Sequence, residues 1–514
     1  YDGRMAIEGN VIEGMTGDTA VGSFSLGQYG IAVNPEEATP CHIENNIIRH
    51  FWIGIHLGNY ATSSAVIGNR IHRSPFSLQE PAPSDTAALR QYLDTRLYAI
   101  DVTAADCEVR RNDIDLESNM WGGIRVSAAD VTIVSNCLHS FFKPDQLVVP
   151  AGIYCLADTG QGRAADQVTI SDNHLLGPQA GIVISRINDA TVRGNLINGN
   201  GGGWYGVRLD DCRHGSVQDN TLQEVFFALH STAGERNHMR GNHIDQVVTG
   251  ITASQEFDAE ISDNHLQSCI VVGIALFVSG SSALLNNRLM NCSYSPALSM
   301  GLAVFSEELP VTGGSLVRID GCEVTDTGVS ADGSQTTTVR ALGMAGWVPA
   351  LQAVNNRVGY TQADQIDPQQ EHRAFLFIGP LAYRVVTGAA VVELMSGSAL
   401  LSSNHFRGPG LTTLVEFLRM AINDNLDFRF EKVTFSNNIC DHLNATFNQS
   451  GATVHLWGGH LIAMGNHIKG PLRVNAMALG NRNQVALMGN VTTGDYIQVG
   501  TVIPAPINNF NVRI

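Results

Sequence analysis

Val168-Thr-Ile-Ser-Asp-Asn173-His-Leu opens a stretch that repeats itself about every 23 residues up to residue 270. It returns as Ala190-Thr-Val-Arg-Gly-Asn195-Leu-Ile and as Gly215-Ser-Val-Gln-Asp-Asn220-Thr-Leu. It returns again as His238-Met-Arg-Gly-Asn242-His-Ile and Glu260-Ile-Ser-Asp-Asn264-His-Leu. Between these units stands a second, shorter one: Gly181-Ile-Val-Ile, Gly206-Val-Arg-Leu, Gly250-Ile-Thr-Ala and Gly273-Ile-Ala-Leu. No unit is long enough to bury its own apolar residues, so neighbours must stack. The runs are short, alternating and rich in Val, Ile and Leu, which predicts strands. Asn suits a tight bend, and its amide can bond to the Asn of the next coil, so a buried Asn ladder is expected.

Working outward, the Asn position can be followed almost end to end. It is filled by Asn10, Asn46, Asn69, Asn112, Asn136, Asn173, Asn195, Asn220 and Asn242. It continues through Asn264, Asn287, Cys322, Asn356, Asn404, Asn438, Asn466 and Asn490, which makes 17 candidate coils. The expected layout is one all-β solenoid over residues 1–499, looser over 300–430, with residues 500–514 as a C-terminal tail or cap. Insertions such as residues 73–97 should leave the coils as loops. Leu411–Ile422 has apolar spacing that suits either a helix or a coil strand.

This pattern resembles the right-handed parallel β-helix family, which includes pectate lyases, polygalacturonases, alginate epimerases and phage tailspikes. The resemblance implies a single-stranded right-handed parallel β-helix with loop insertions. It implies no single function, because enzymes and inert shafts share the fold. The separated Asp-Asp and His-Gly elements of polygalacturonases, the Asp-Pro-His-Asp of alginate epimerases and the Trp-Ile-Asp-His of pectate lyases are not found.

Composition narrows the partners. The chain has 514 residues, 44% of them hydrophobic, with 48 acidic against 31 basic side chains and a net charge of −17. That balance disfavours nucleic acid and anionic membranes. No apolar run is long enough for a membrane-spanning helix. The nine cysteines lack C-x-x-C spacing, and Cys322 at an Asn position reads as a buried thiol. No metal site or cofactor is read from the pattern. An anionic polysaccharide would require a basic patch or a bridging divalent cation such as calcium.

Outward residues of stacked coils form columns. Two residues after the Gly of each short unit, a position that Ala228 fills before His230, the column reads Arg125, Tyr154, Val183, Arg208 and His230. Asp210, Asp211 and His214 follow closely on Arg208. An acid, a base and a charge stabiliser on one face are what glycoside chemistry requires, so Asp210, Asp211, His214 and Arg208 are the candidate catalytic set. Asp-Asp at a bend is equally a turn signal. Trp121, Trp204 and Tyr205 recur at one corner, where they could stack on sugar rings or pack their own loops. With Arg125, His230 and Tyr154 they form the candidate substrate-binding set.

Two functional classes remain open. The first is an extracellular or surface-assembly rod that recognises a polysaccharide along a lateral groove. The second is a polysaccharide lyase, glycoside hydrolase or epimerase working in that groove. The chain enters its repeat within ten residues of Tyr1, so a larger assembly or a preceding part of the same protein is expected to cover the first coil.

Overall fold

The computed structural model describes residues 5–13, 29–51, 53–73, 98–116, 122–140, 151–157, 167–292, 298–306, 315–329, 340–361, 371–387, 390–394, 397–408, 413–418, 420–423, 426–442, 453–476, 485–493, 497–499, 507–509 and 511–513. They fall into two compact units, Tyr1–His243 and Ile244–Ile514. Each unit is a parallel β-helix. Among the described residues there is no helix.

In the first unit each coil has three strand positions, the second and third of which run together as Leu196–Asp210 and Thr221–Thr232 in the coils of Asn195 and Asn220. The strand before the Asn stacks as Glu108–Arg110, Thr132–Val134, Thr169–Ser171, Thr191–Arg193, Ser216–Gln218 and His238–Arg240, all parallel. Its middle residues Val109, Ile133, Ile170, Val192, Val217 and Met239 point inward and are almost fully buried. The strand after the Asn buries Ile114, Leu138, Leu175, Ile197 and Leu222 in the same way. The third strand contains the Gly-Ile unit and stacks Ile100, Ile124, Ile153, Ile182, Val207 and Leu229. Its glycine is required by a close approach. A Cβ on Gly181 would lie 2.4 Å from the carbonyl oxygen of Gly206.

The Asn ladder follows a strict pattern. Asn173 Nδ2 donates to Asn195 Oδ1 at 2.9 Å and to the Ile133 carbonyl at 3.0 Å. Its backbone N–H donates to the same Asn195 oxygen at 3.0 Å. Asn195 repeats this toward Asn220, and Asn220 toward Asn242. Each amide is satisfied on both sides, which is the condition for burying it. The left-handed backbone belongs to the residue before the ladder Asn, not to the Asn itself. Asp172 (φ 56°), Gly194 (65°), Asp219 (52°) and Gly241 (66°) hold that conformation. This accounts for the Asp-Asn and Gly-Asn pairs, since Asp and Gly tolerate positive φ.

In the second unit the ladder runs from Asn264 to Asn287 and then meets Cys322, whose sulfur lies 3.9 Å from Asn287 Nδ2. It resumes from the Cys322 N–H to Asn356 Oδ1 and continues through Asn404, Asn438, Asn466 and Asn490. Asn490 then donates to Asn511 Oδ1 at 2.8 Å. Ile507–Asn509 and Val512–Arg513 pair in parallel with the preceding coil. Where a tail or cap was expected, residues 507–509 and 511–513 therefore contribute a further rung. The segment Leu411–Ile422 contains strand Val415–Leu418 and overlaps strand Met420–Asn423. The second of these belongs to a four-stranded antiparallel sheet with Leu381–Thr387, Ala390–Leu394 and Leu426–Phe428. Most of the insertion 73–97 lies outside the described residues.

Candidate functional site

The third strands of the first unit set one lateral face. The pairings align His56 with Asp101, Asp101 with Arg125, Arg125 with Tyr154, Tyr154 with Val183, Val183 with Arg208 and Arg208 with His230. Arg125, Tyr154, Arg208 and His230 thus stand in one column. Three residues earlier on the same strands Tyr205 stands opposite Phe227, and Tyr98 holds the same position on an earlier coil.

The upper part of the face is built around Tyr205. Its ring stacks on Phe227 with centroids 5.5 Å apart and lies 5.6 Å from the His230 ring. The guanidinium carbon of Arg208 sits 5.0 Å from the Tyr205 centroid, within cation–π range. Arg208 Nε also donates to Asp210 at 2.8 Å, so the cation is held by a ring and a carboxylate together. Trp204 stands beside this cluster, 46% exposed, with its ring 5.4 Å from Phe226. His230 has its pKa lowered, first by burial and then by the Arg208 charge, with Asp210 opposing. The imidazole is therefore neutral at pH 7 and can accept a hydrogen bond.

The lower part of the face contains residues that inspection of the repeat missed. Asp101 is fully buried. His56 Nδ1–H donates to Asp101 Oδ2 at 3.0 Å, and Arg125 Nη1 lies 3.4 Å from Asp101 Oδ1. Tyr98 and Tyr154 stack beside them, centroids 6.2 Å apart and planes 15° from parallel. Burial is the main cause that raises both phenols above their ordinary pKa, so both remain protonated donors. The rule that found Arg125 would have found His56 too, two residues after Gly54. Asp101 was hidden because the long insertion 73–97 precedes its strand and breaks the count.

The candidate catalytic set is only partly assembled. Arg208 and Asp210 are together. Asp211 (φ 51°) and His214 (φ 53°) are exposed bend residues in the left-handed region. The His214 ring pairs with Asp189 at 3.4 Å rather than with Asp210. Asp101 and Asp210 are separated by four rungs, roughly 19 Å at ~4.8 Å each. That exceeds the ~5–10 Å between paired carboxylates in glycosidases. Trp121 lies outside the described residues.

Two family models match the chain. One is described as a right handed beta helix region, over residues 2–203. The other is described as periplasmic copper-binding protein (NosD), over residues 125–297. Among the described residues no three His, Cys, Asp or Glu side chains are grouped so as to hold a metal ion. No curated protein matches the sequence. Similar solved structures include a variant of the PL6 family alginate lyase AlyGC, at 9% identity over 100% of this chain and 96% of that one, TM-score 0.34. Another is the A-module of the Azotobacter vinelandii mannuronan C-5 epimerase AlgE6, at 9% identity over 92% and 90%, TM-score 0.33. A third is the tailspike protein gp49 of Pseudomonas phage LKA1, at 13% identity over 74% and 51%, TM-score 0.32. No helix among the described residues is long and apolar enough to cross a membrane. The coil register, the amide ladder and the matching family models make this chain a right-handed parallel β-helix protein.

Proposed function

We propose that the third-strand face of the first unit binds a polysaccharide, with its sugar rings against Trp204 and Tyr205. The cluster of Tyr205, Arg208, Asp210 and His230 carries this reading. It joins a flat aromatic surface to a fixed donor, a fixed acceptor and a neutral imidazole, which is what a ring bearing hydroxyls requires. Both arginines of the column have a carboxylate partner, Asp101 for Arg125 and Asp210 for Arg208. The face therefore offers little free positive charge, and a neutral glycan fits it better than a polyanion bridged by calcium. A location outside the cell or on a cell or particle surface is part of this proposal. A glycan array scored with wild type, Trp204→Ala and Tyr205→Ala tests the reading. Loss of the wild-type signal in both variants supports it, and equal binding by all three rejects it.

One observation favours an enzyme as the second reading. Asp101 orients His56 through Nδ1, which leaves Nε2 as a base, and Arg125 and two protonated tyrosines stand close by. This suits proton abstraction by a lyase or epimerase better than hydrolysis by paired carboxylates. Release of oligosaccharide by wild type that is abolished in His56→Gln, with binding intact, is its test.

A further inference from the structure

The strands that follow the ladder Asn form a face of their own on the first unit, and a cavity of about 380 Å³ opens on it. It lies over three consecutive coils, where Ile47–Arg49, Arg70–Arg73 and Asp113–Leu116 stack in parallel. One outward column there reads Ile47, Arg70 and Asp113, and the next reads Arg49, His72 and Asp115. The cavity therefore has arginines on its first two coils and carboxylates on its third.

Elsewhere on this unit, opposite charges set directly across adjacent coils form pairs. Arg49 meets Glu13 at 3.1 Å, His72 meets Asp115 at 3.2 Å and Arg125 meets Asp101 at 3.4 Å. Arg70 and Asp113 are register partners in the same way, yet they stand apart with the cavity at their side. Among the described residues neither side chain has an ion pair or a hydrogen bond. Both are exposed, so a ligand can reach them. Two more polar atoms of the lining residues are unmet, the buried His50 Nδ1 and Asp115 Oδ1. Buried polar atoms are ordinarily satisfied, so unmet groups gathered at one cavity call for a common partner.

We propose that this cavity binds a free α-amino acid, with the ligand's carboxylate on Arg70 and its ammonium on Asp113. Arg70 and Asp113 are one rung apart, ~4.8 Å along the stack, so the adjacent charges of one small zwitterion can meet both. A guanidinium takes a carboxylate through two parallel N–H···O bonds, and a carboxylate accepts from an ammonium. An anion alone would satisfy Arg70 but lie against Asp113 and Asp115. A cation alone would satisfy the carboxylates but lie against Arg70. A neutral sugar would neutralise neither charge. Ile47, half-buried at the end of the same column, gives the ligand's carbon atoms an apolar wall. The site shares no residue with the third-strand face and does not depend on reading that face as a glycan surface.

Calorimetric titration of the full chain with each standard amino acid tests it, with propionate and ethylamine as controls that carry one charge each. At least one amino acid should bind once per chain, at least about tenfold tighter than either control. Arg70→Gln and Asp113→Asn should each weaken that binding about tenfold or more. Their unfolding midpoints should match wild type, because both side chains are exposed. No heat from any amino acid overturns the inference. Propionate bound as tightly as the amino acid also overturns it, in favour of a simple anion site. Full affinity in either variant overturns it as well.

Discussion

His56 and Asp101 are 45 residues apart in the chain, yet Nδ1 of one lies 3.0 Å from Oδ2 of the other. The contact exists because the two residues are register partners on adjacent coils. Asp101 has no exposure, and its second oxygen faces Arg125. Removing that carboxylate leaves a largely buried guanidinium without its partner. Asp101→Ala should therefore cost about 3–5 kcal/mol, seen as an earlier midpoint in denaturant unfolding followed by circular dichroism. Asp101→Asn, which retains an acceptor, should cost less.

The ladder makes two opposite predictions. Asn220→Leu removes the acceptor for two donors of Asn195 and the donor to the Val192 carbonyl. It should destabilise by about 1–3 kcal/mol. Cys322→Asn should do the reverse. A sulfur 3.9 Å from Asn287 Nδ2 is a poor acceptor, and an amide there would restore the chain of bonds. A gain of about 1 kcal/mol is expected, read as a later unfolding midpoint.

His230 should produce a stability slope in mild acid. Its folded pKa lies below the ordinary 6.5 because of burial and then Arg208. Between those two values the unfolded chain holds more protons than the folded one, so stability rises with pH. The contribution is complete above 6.5 and is lost as the pH falls toward the lowered value. Thermal midpoints measured across that range should fall with acid in wild type and fall less in His230→Gln.

Glu416 acts at lower pH. Burial alone would raise its pKa, but His455 and Arg373 outweigh that and hold it below 4.5. Its stabilisation is present above 4.5 and lost as the pH falls through the lowered value. Glu416→Gln should flatten the acid limb of the stability curve. An unchanged limb would mean that His455 and Arg373 do not favour the carboxylate.

On the first unit, Arg208→Lys is a sharper probe of the glycan face than removal of the charge. Lysine retains the cation but has no Nε fork to reach Asp210 and no plane to lie over Tyr205. Affinity for the array-positive sugar should fall about tenfold, or ~1.4 kcal/mol, with the unfolding midpoint nearly unchanged.

The ladder could be read from spacing because the same physical demand recurs at every coil and leaves an Asn each time. The upper column, Arg208 and His230, was legible for a related reason, since the coils there depart from the 23-residue spacing by only a few residues. Asp101 was not legible, because a long insertion precedes its strand and breaks the spacing. The Glu416 cluster was hidden further. It depends on three strands separated by the antiparallel insertion, and no local spacing records that Arg373, Glu416 and His455 meet. The left-handed bend was placed one residue late, because the amide partner and the backbone bend sit side by side in the sequence as Asp-Asn or Gly-Asn.

From Asn10 to Asn220 every ladder amide points the same way, with its N–H₂ toward the oxygen of the following coil. The side-chain dipoles therefore add, giving the stack a direction of its own beyond that of the chain. A coil of this kind offers one acceptor below and one donor above whatever its loops carry. A copied coil can consequently be inserted between its neighbours, or a whole one removed, without leaving an unmet amide, provided the cut respects the Asn spacing. Length can change in steps of one turn while each lateral face keeps its chemistry, and that makes the ladder a unit of evolutionary growth as well as of cohesion.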